Sequence, residues 1–408
     1  MTSSFQRSAT TSSARSISPA PHADRHLGTG PTKTSAPEFA NAERVCFFHQ
    51  NDVFGVQGGI ERYVSTLLDS ARGNAALVSP PTTRNLPAHF VVVEKGPKRG
   101  PRWLRFALAL VAQRKEIRAF LREWNVRVLE FSRPEYLMAG LLFAGKRVVT
   151  IHGTGPAPGH RLHRFVHEIC CLIAAVFADR VQVVGRDDSG LPWIACRLLG
   201  RRLTHVQAWH ADGFVAKPFP STEGRQPLRV FYAGRIAPQK DPELLFSIVR
   251  EAIRRSPGAY DFHYFGSDFS AFEAAGLAKM VTNHGLFGPQ ALAEAIANCH
   301  IGLLCSAFGE GSPYILVESL ACGRPFVVSA LPTLTLAYEG SAGISFVKRR
   351  DPMAFVDAMD RLGASIRGGM IDPFAIAQQV ESCSQSRAAP ELLNSLISLT
   401  LARAHDRL

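Results

Sequence analysis

The chain has 408 residues, 46% of them apolar and 20% charged, which is material for roughly two to three domains with real hydrophobic cores. The longest apolar run, Ile169 to Ala178, is closed by His167-Glu168 and Asp179-Arg180; it falls short of the roughly 20 residues of a spanning helix and argues against a membrane-spanning protein. A formal charge of +12, from 46 Lys and Arg against 34 Asp and Glu, points to an anionic partner: nucleotide, nucleic acid or acidic lipid surface.

Residues 1–43 are rich in Ser, Thr, Ala and Pro and have no hydrophobic period, so a disordered tail is expected. Their Arg and Ser content is compatible with a transit peptide, but they lack the apolar core of a secretory signal. From Arg44 short apolar runs alternate with helical stretches: Val45–His49, then Gly58-Gly59 and a helix from Ile60, followed by Val91–Val93, Val126–Phe131, Val148–His152 and Val181–Val184. A second series, Leu228–Ala233, Asp261–Phe265, Ile301–Cys305 and Pro325–Ser329, follows the loop Phe219–Pro227. Apolar strands alternating with helices predict parallel sheets covered on both faces. The expected architecture is α/β, with two facing Rossmann-like doubly wound domains, 44–211 and 228–375, joined by a linker at 212–227 and followed by a helical segment at 376–408. Ligands of such sheets sit at the carboxyl ends of the strands, which places the site in the cleft.

Lys95–Arg122 holds nine Lys and Arg against Glu116 alone, interleaved with Trp103, Leu104, Phe106, Leu108, Leu110 and Phe120. This composition fits an interfacial anchor on an anionic membrane, and equally a crossover helix packed on the sheet with solvated charges. The eight Cys form no C-x-x-C pair and no zinc-like spacing; they read as small buried hydrophobes in a reducing, cytoplasmic compartment, and no metal is expected.

Chemistry concentrates in Ser306–Ala330. After the strand a Gly-rich loop leads to Ser312 as helix cap and Pro313 as first helical residue, leaving the amides of Tyr314 and Ile315 at a helix N-terminus, a ready anion site. Glu318 lies one turn into that helix, and Glu310, in the loop, faces the same opening. Amides for a phosphate and two carboxylates for hydroxyls describe a nucleotide-sugar site. Positive charge comes from the strand end at Gly234, where Arg235 and Lys240 precede the cap-and-first-turn pair Asp241-Pro242; a guanidinium fork and an ammonium neutralise a diphosphate.

Gly234-Arg235 with Lys240, and Glu310 with Glu318, resemble the donor site of the retaining family 4 glycosyltransferases, which have the GT-B fold. In the first domain Gly58-Gly59-Ile60-Glu61-Arg62-Tyr63-Val64 resembles the family's glycine loop and Thr150-Ile151-His152-Gly153 its strand-end histidine, while Gly266 and Gly288 fall where the family has glycines near the nucleotide base. The resemblance covers about Arg44 to Asp360. It implies that Arg235 and Lys240 stabilise the leaving diphosphate, that Glu318 binds ribose and Glu310 the transferred sugar, and that His152, Gly58 and Gly59 close over the donor from the first domain. It further implies transfer from a nucleoside diphosphate-sugar to a glycan or lipid-linked acceptor, with no cofactor, no metal and no protein nucleophile. The chain departs from the family at Ala208-Trp209-His210-Ala211-Asp212 and at Ala330-Leu331-Pro332-Thr333-Leu334-Thr335. The competing readings are a GT-B epimerase or hydrolase, an inactive nucleotide-binding scaffold, and a nucleic-acid binder using the basic face, for which no recognition motif is present.

Overall fold

The computed structural model describes residues 44–55, 58–94, 100–153, 161–223, 226–348 and 350–400. The N-terminal tail and Lys95–Arg99 of the basic stretch lie outside the described residues.

Thirteen strands form two sheets among these residues. β1 (Arg44–Phe48), β2 (Ala75–Ser79), β3 (His89–Val91), β4 (Val126–Phe131), β5 (Lys146–His152), β6 (Arg180–Val184) and β7 (Leu203–Val206) make the first, in the order β3-β2-β1-β4-β5-β6-β7. β8 (Leu228–Ala233), β9 (Tyr260–Phe265), β10 (Val281–Gly285), β11 (Ile301–Leu304), β12 (Phe326–Ser329) and β13 (Ile344–Val347) make the second, in the order β10-β9-β8-β11-β12-β13. Every pairing is parallel. The strand order reverses between β1 and β4 and again between β8 and β11, and these two switch points hold the cleft, as the doubly wound arrangement requires.

Four strands have no counterpart in the sequence reading: β2, β7, β10 and β13. Three of them are edges whose residues alternate with polar ones or stay half exposed, as in Val281-Thr282-Asn283-His284-Gly285, so no apolar run marks them. β2 is fully buried, but its Ala75-Ala76 start carries no β-branched signal. The expected Val91–Val93 strand shifts to His89–Val91, because Val93 is taken by Gln113: its Nε2 donates to Val93 O at 3.0 Å and its Oε1 accepts from Val93 N at 3.2 Å.

That tether also breaks the basic stretch at Gln113 into two helices, Arg102–Ala112 and Arg114–Glu123. Phe106, Leu110, Ile117 and Leu121 are buried in the core of the first sheet, which is the crossover-helix alternative, while Leu104 and Leu108 remain exposed. The chain end returns to the first domain: in the helix Gln385–Ile397, Ala389, Leu393 and Leu396 share a core with Val45, Phe47 and Leu67, and Arg180 Nη1 donates to Ser395 Oγ at 2.7 Å. The linker is fixed from the other side by Arg324, whose fully buried guanidinium donates to Lys217 O, Pro218 O and Ala297 O at 2.9, 2.8 and 2.7 Å. Burial lowers its pKa to about 10, so it stays charged at neutral pH.

Glu130, in the middle of β4, is fully buried, and burial pushes its carboxyl up to about 8, with the Thr150 hydroxyl only partly offsetting. An unfolded chain releases that proton near the ordinary value of about 4.3, so the folded state binds more protons between the two values. Stability from this group is therefore fully present below about 4.3, is lost as pH rises toward 8, and levels off above it. Glu130→Gln keeps the shape without the proton and should flatten the decline of the thermal midpoint across that window; wild-type and variant curves that stay parallel from pH 5 to 8 would sink the assignment.

Candidate active site

A cavity of about 840 Å³ lies between the carboxyl ends of the two sheets. The first domain supplies Gly58, Gly59, Ile60 and Tyr63 from the helix after β1, Arg133 after β4, His152 and Gly153 at the end of β5, and Val184 of β6. The second supplies Gly234, Arg235, Gln239 and Lys240 after β8, Phe265 and Gly266 at the end of β9, Gly285 to Phe287 at the end of β10, and Gly309 to Ile315 with Glu318 after β11.

The charged groups fall into two pairs. Lys240 forms an ion pair with Glu310, which also accepts from Ser306 Oγ at 2.6 Å and is almost fully buried. Gln239 zips the same two loops together: its Nε2 donates to Gly309 O at 3.0 Å and its carbonyl accepts from Ala307 N at 2.8 Å. Asp241, at φ 47°, caps the next helix through Leu244 N, as the sequence predicts, and so fixes where Lys240 leaves the backbone. Arg235 is exposed at the cleft and has no ion-pair partner among the described residues. The second pair spans the domains: Glu318, only 2% exposed, binds Arg62 of the first domain, whose guanidinium stacks 4.3 Å over the Tyr314 ring. Burial raises the Glu318 pKa, and Arg62 pulls it back.

An aromatic seam continues this contact. Trp209 is buried between Tyr63, at 5.5 Å, and Tyr314, edge-on at 6.0 Å, and Tyr63 meets the His152 ring at 4.9 Å. Burial pushes the His152 imidazole down to about 3, so it is neutral at working pH, and its buried Nε2 has no partner among the described residues. A smaller cavity of about 90 Å³ adjoins His152 and is lined by Arg133, His163 and His167, the last bonded to Glu135 at 3.0 Å.

Residues 227–365 match the family described as Glycosyl transferases group 1. The second domain is thus similar to the group 1 glycosyltransferases, and the fold is GT-B. A D-inositol 3-phosphate glycosyltransferase of Frankia alni is 29% identical over 149 residues, a match that spans 33% of this chain and 36% of that protein. Sucrose-phosphate synthase from Thermosynechococcus elongatus superposes with a TM-score of 0.63 at 15% identity, over 90% of this chain and 98% of its own. HepE of Anabaena in complex with UDP gives 0.66 at 14% identity, over 88% and 100%.

In this GT-B frame most of the predicted donor-site residues converge. Arg235, Lys240, Glu310, Glu318, Tyr314 and Ile315 line the cavity from the second domain, and Gly58, Gly59 and His152 line it from the first. Gly234 has φ 148°, and the Cβ of a residue at Gly266 would sit 2.6 Å from Gly234 O, so the two strand ends abut because Gly266 carries no side chain. Two expectations need correction. Ser312 does not cap the helix: Pro313 occupies the cap position, the helix starts at Tyr314, and the Ser312 hydroxyl instead accepts from Ala208 N at 2.9 Å, tying the loop to the interdomain turn. Gly288 is not in the cavity lining; it precedes the helix Pro289–Ala297, where an added Cβ would meet nothing within 4 Å, and Gly285, at φ 71°, lines the cleft in its place.

Sequence reasoning missed Arg62, Trp209, Arg133 and the glycine contact between the domains. Arg62 stood inside the glycine loop without a visible partner, because Glu318 lies over 250 residues away. The departing turn Ala208–Asp212 is held by the C-terminal segment: His210 N donates to Cys383 O at 2.9 Å, and Asp212 accepts from Ser386 N at 3.2 Å. Among the described residues no cluster of three or more His, Cys, Asp or Glu side chains is placed to hold a metal ion.

The domains touch backbone to backbone at Gly185 and Gly311. A Cβ on Gly311 would lie 2.2 Å from Val184 O, although its own φ is not left-handed. Gly311→Ala should therefore leave each domain folded and wedge the cleft open. Small-angle scattering should show a larger radius of gyration than wild type with unchanged far-UV circular dichroism; identical scattering curves would mean that the loop yields instead.

Proposed function

We infer that the protein is a retaining glycosyltransferase that moves a sugar from a nucleoside diphosphate-sugar to a hydroxyl of a glycan or lipid-linked acceptor in polysaccharide or glycolipid assembly. The observation that carries this reading is the convergence of Arg235, Lys240 and the Tyr314 helix start on one end of the cavity, with Glu310 and Glu318 beside them. HepE has been solved with UDP and with UDP-glucose, which supports a donor of this class.

In this reading the diphosphate lies against Arg235, Lys240 and the first amides of the helix, where helix-end N–H groups and two cations meet an anion. The base lies between the ends of β9 and β10, against Phe265 and Phe287. Glu318 accepts from the ribose hydroxyls, and Glu310 from the transferred sugar. As the bond between the sugar's anomeric carbon and the phosphate oxygen breaks, the electron pair stays on the phosphate, and Arg235 and Lys240 neutralise it without a metal. The acceptor hydroxyl attacks the same face and its proton passes to that phosphate oxygen. Glu61, the carboxylate nearest the glycine loop, is occupied by His49 at 3.2 Å and by Asn51, and these bonds hold its pKa at about 2 despite burial; it serves as a structural anion and not as a nucleophile. Neutral His152 offers Nε2 to a sugar hydroxyl. The acceptor enters beside Arg133 and His163.

Thermal unfolding with UDP, GDP, ADP and their sugar conjugates tests the donor class. A ligand at a hundred times its dissociation constant adds about 2.7 kcal/mol, so one nucleotide should raise the midpoint selectively, with and without chelator. No shift from any nucleotide would refute the reading. Lys240→Ala and Arg235→Ala should each lower turnover by about a hundredfold or more with the fold intact; near wild-type turnover in both would show that the diphosphate lies elsewhere.

A further inference from the structure

The helix Arg161–Phe177 is apolar on both faces. Cys171, Ala174 and Ala175 are buried against the first sheet, while Leu162, Phe165, Ile169 and Val176, spaced by three, four and seven residues, form one outward stripe. Leu162 is 77% exposed and Phe165 60%, values for residues that ordinarily face a partner. The helix Trp193–Leu199 packs alongside and leaves Trp193, 69% exposed, and Leu198 facing solvent. Arg161, Arg164, Arg197 and Arg201 are exposed on the same two segments, and Glu168, bonded to Arg164 at 2.9 Å, is the single acidic residue in 161–177 and 193–202.

We propose that this stripe docks the first domain on an anionic lipid surface. The physical content is an apolar ridge that inserts at the headgroup boundary, a Trp suited to that depth, and arginines that reach lipid phosphates from its flanks. Charge favours lipid over a second copy of the chain, because a two-fold interface on this patch would set arginines of one copy against arginines of the other. The same helix carries His163 and His167 into the small cavity beside His152, so docking here brings the acceptor side of the cleft to the lipid surface. The docking surface shares no residue with the donor site and stands or falls independently of the donor reading.

Flotation of the full-length protein with vesicles of phosphatidylcholine alone, and of phosphatidylcholine mixed with phosphatidylglycerol, tests this. The wild type should float with the anionic vesicles and blue-shift its tryptophan emission, and Trp193→Phe should remove that shift. The double variant Leu162→Ser, Phe165→Ser, whose sites are exposed and whose thermal midpoint should match wild type, should bind at least about tenfold more weakly. Arg164→Ala with Arg197→Ala should reduce the preference for the anionic vesicles. Wild type that stays in solution, or a double variant that floats like wild type, overturns the proposal. So does a wild-type dimer in analytical ultracentrifugation that the double variant dissolves while vesicle binding is absent in both, because the stripe then belongs to a second copy. Nucleotide-induced midpoint shifts should be the same in wild type and double variant.

Discussion

A carboxyl group buried to 2% exposure must either keep its proton, as Glu130 does, or find a cation, and Glu318 finds its cation on the other domain. Leaving such a carboxylate unpaired costs far more than the pair is worth in net stability, so the Arg62–Glu318 contact acts chiefly as a constraint on where the two sheets stand. Arg62 stacks on Tyr314, Tyr314 meets Trp209, and Trp209 meets Tyr63. The carboxylate proposed to hold the donor's ribose is thus the one that registers the domains, and occupancy of the site and closure of the cleft share one group.

The domains divide the electrostatics. The second domain contributes the cations proposed to face a diphosphate, each set by a rigid strand end: Arg235 after Gly234, and Lys240 between Pro238 and the Asp241 cap. The first domain contributes neutral His152 and backbone close enough to touch the opposite loop at Gly311. The Lys240–Glu310 pair holds both groups in place across the two loops, so the proposed diphosphate would meet a preorganised site.

Stability is distributed with the same asymmetry. The linker is clamped by the buried Arg324, and the last helix stitches back onto β1 and the glycine-loop helix, so the two sheets are connected at both ends of the second domain. The outward stripe of the helix Arg161–Phe177 lies on the first domain, away from these clamps.

The order of apolar runs and turn residues was enough to predict two doubly wound domains, because buried parallel strands must be continuous apolar segments; the central strands β4 and β8 fall at the predicted residues. The Asp241 cap was legible for a related reason: it acts through its local turn, and spacing within a turn is written in the chain. Edge strands were not, since a half-solvated strand needs no apolar run. Only the tertiary structure decided that Ser312 bonds the interdomain turn, that Gly285 and not Gly288 lines the cleft, that Arg62 answers Glu318, and that an outer helix face stays apolar. Each of these is a contact, or the absence of one, between residues far apart in sequence, and local pattern carries no information about which distant surface a side chain will meet.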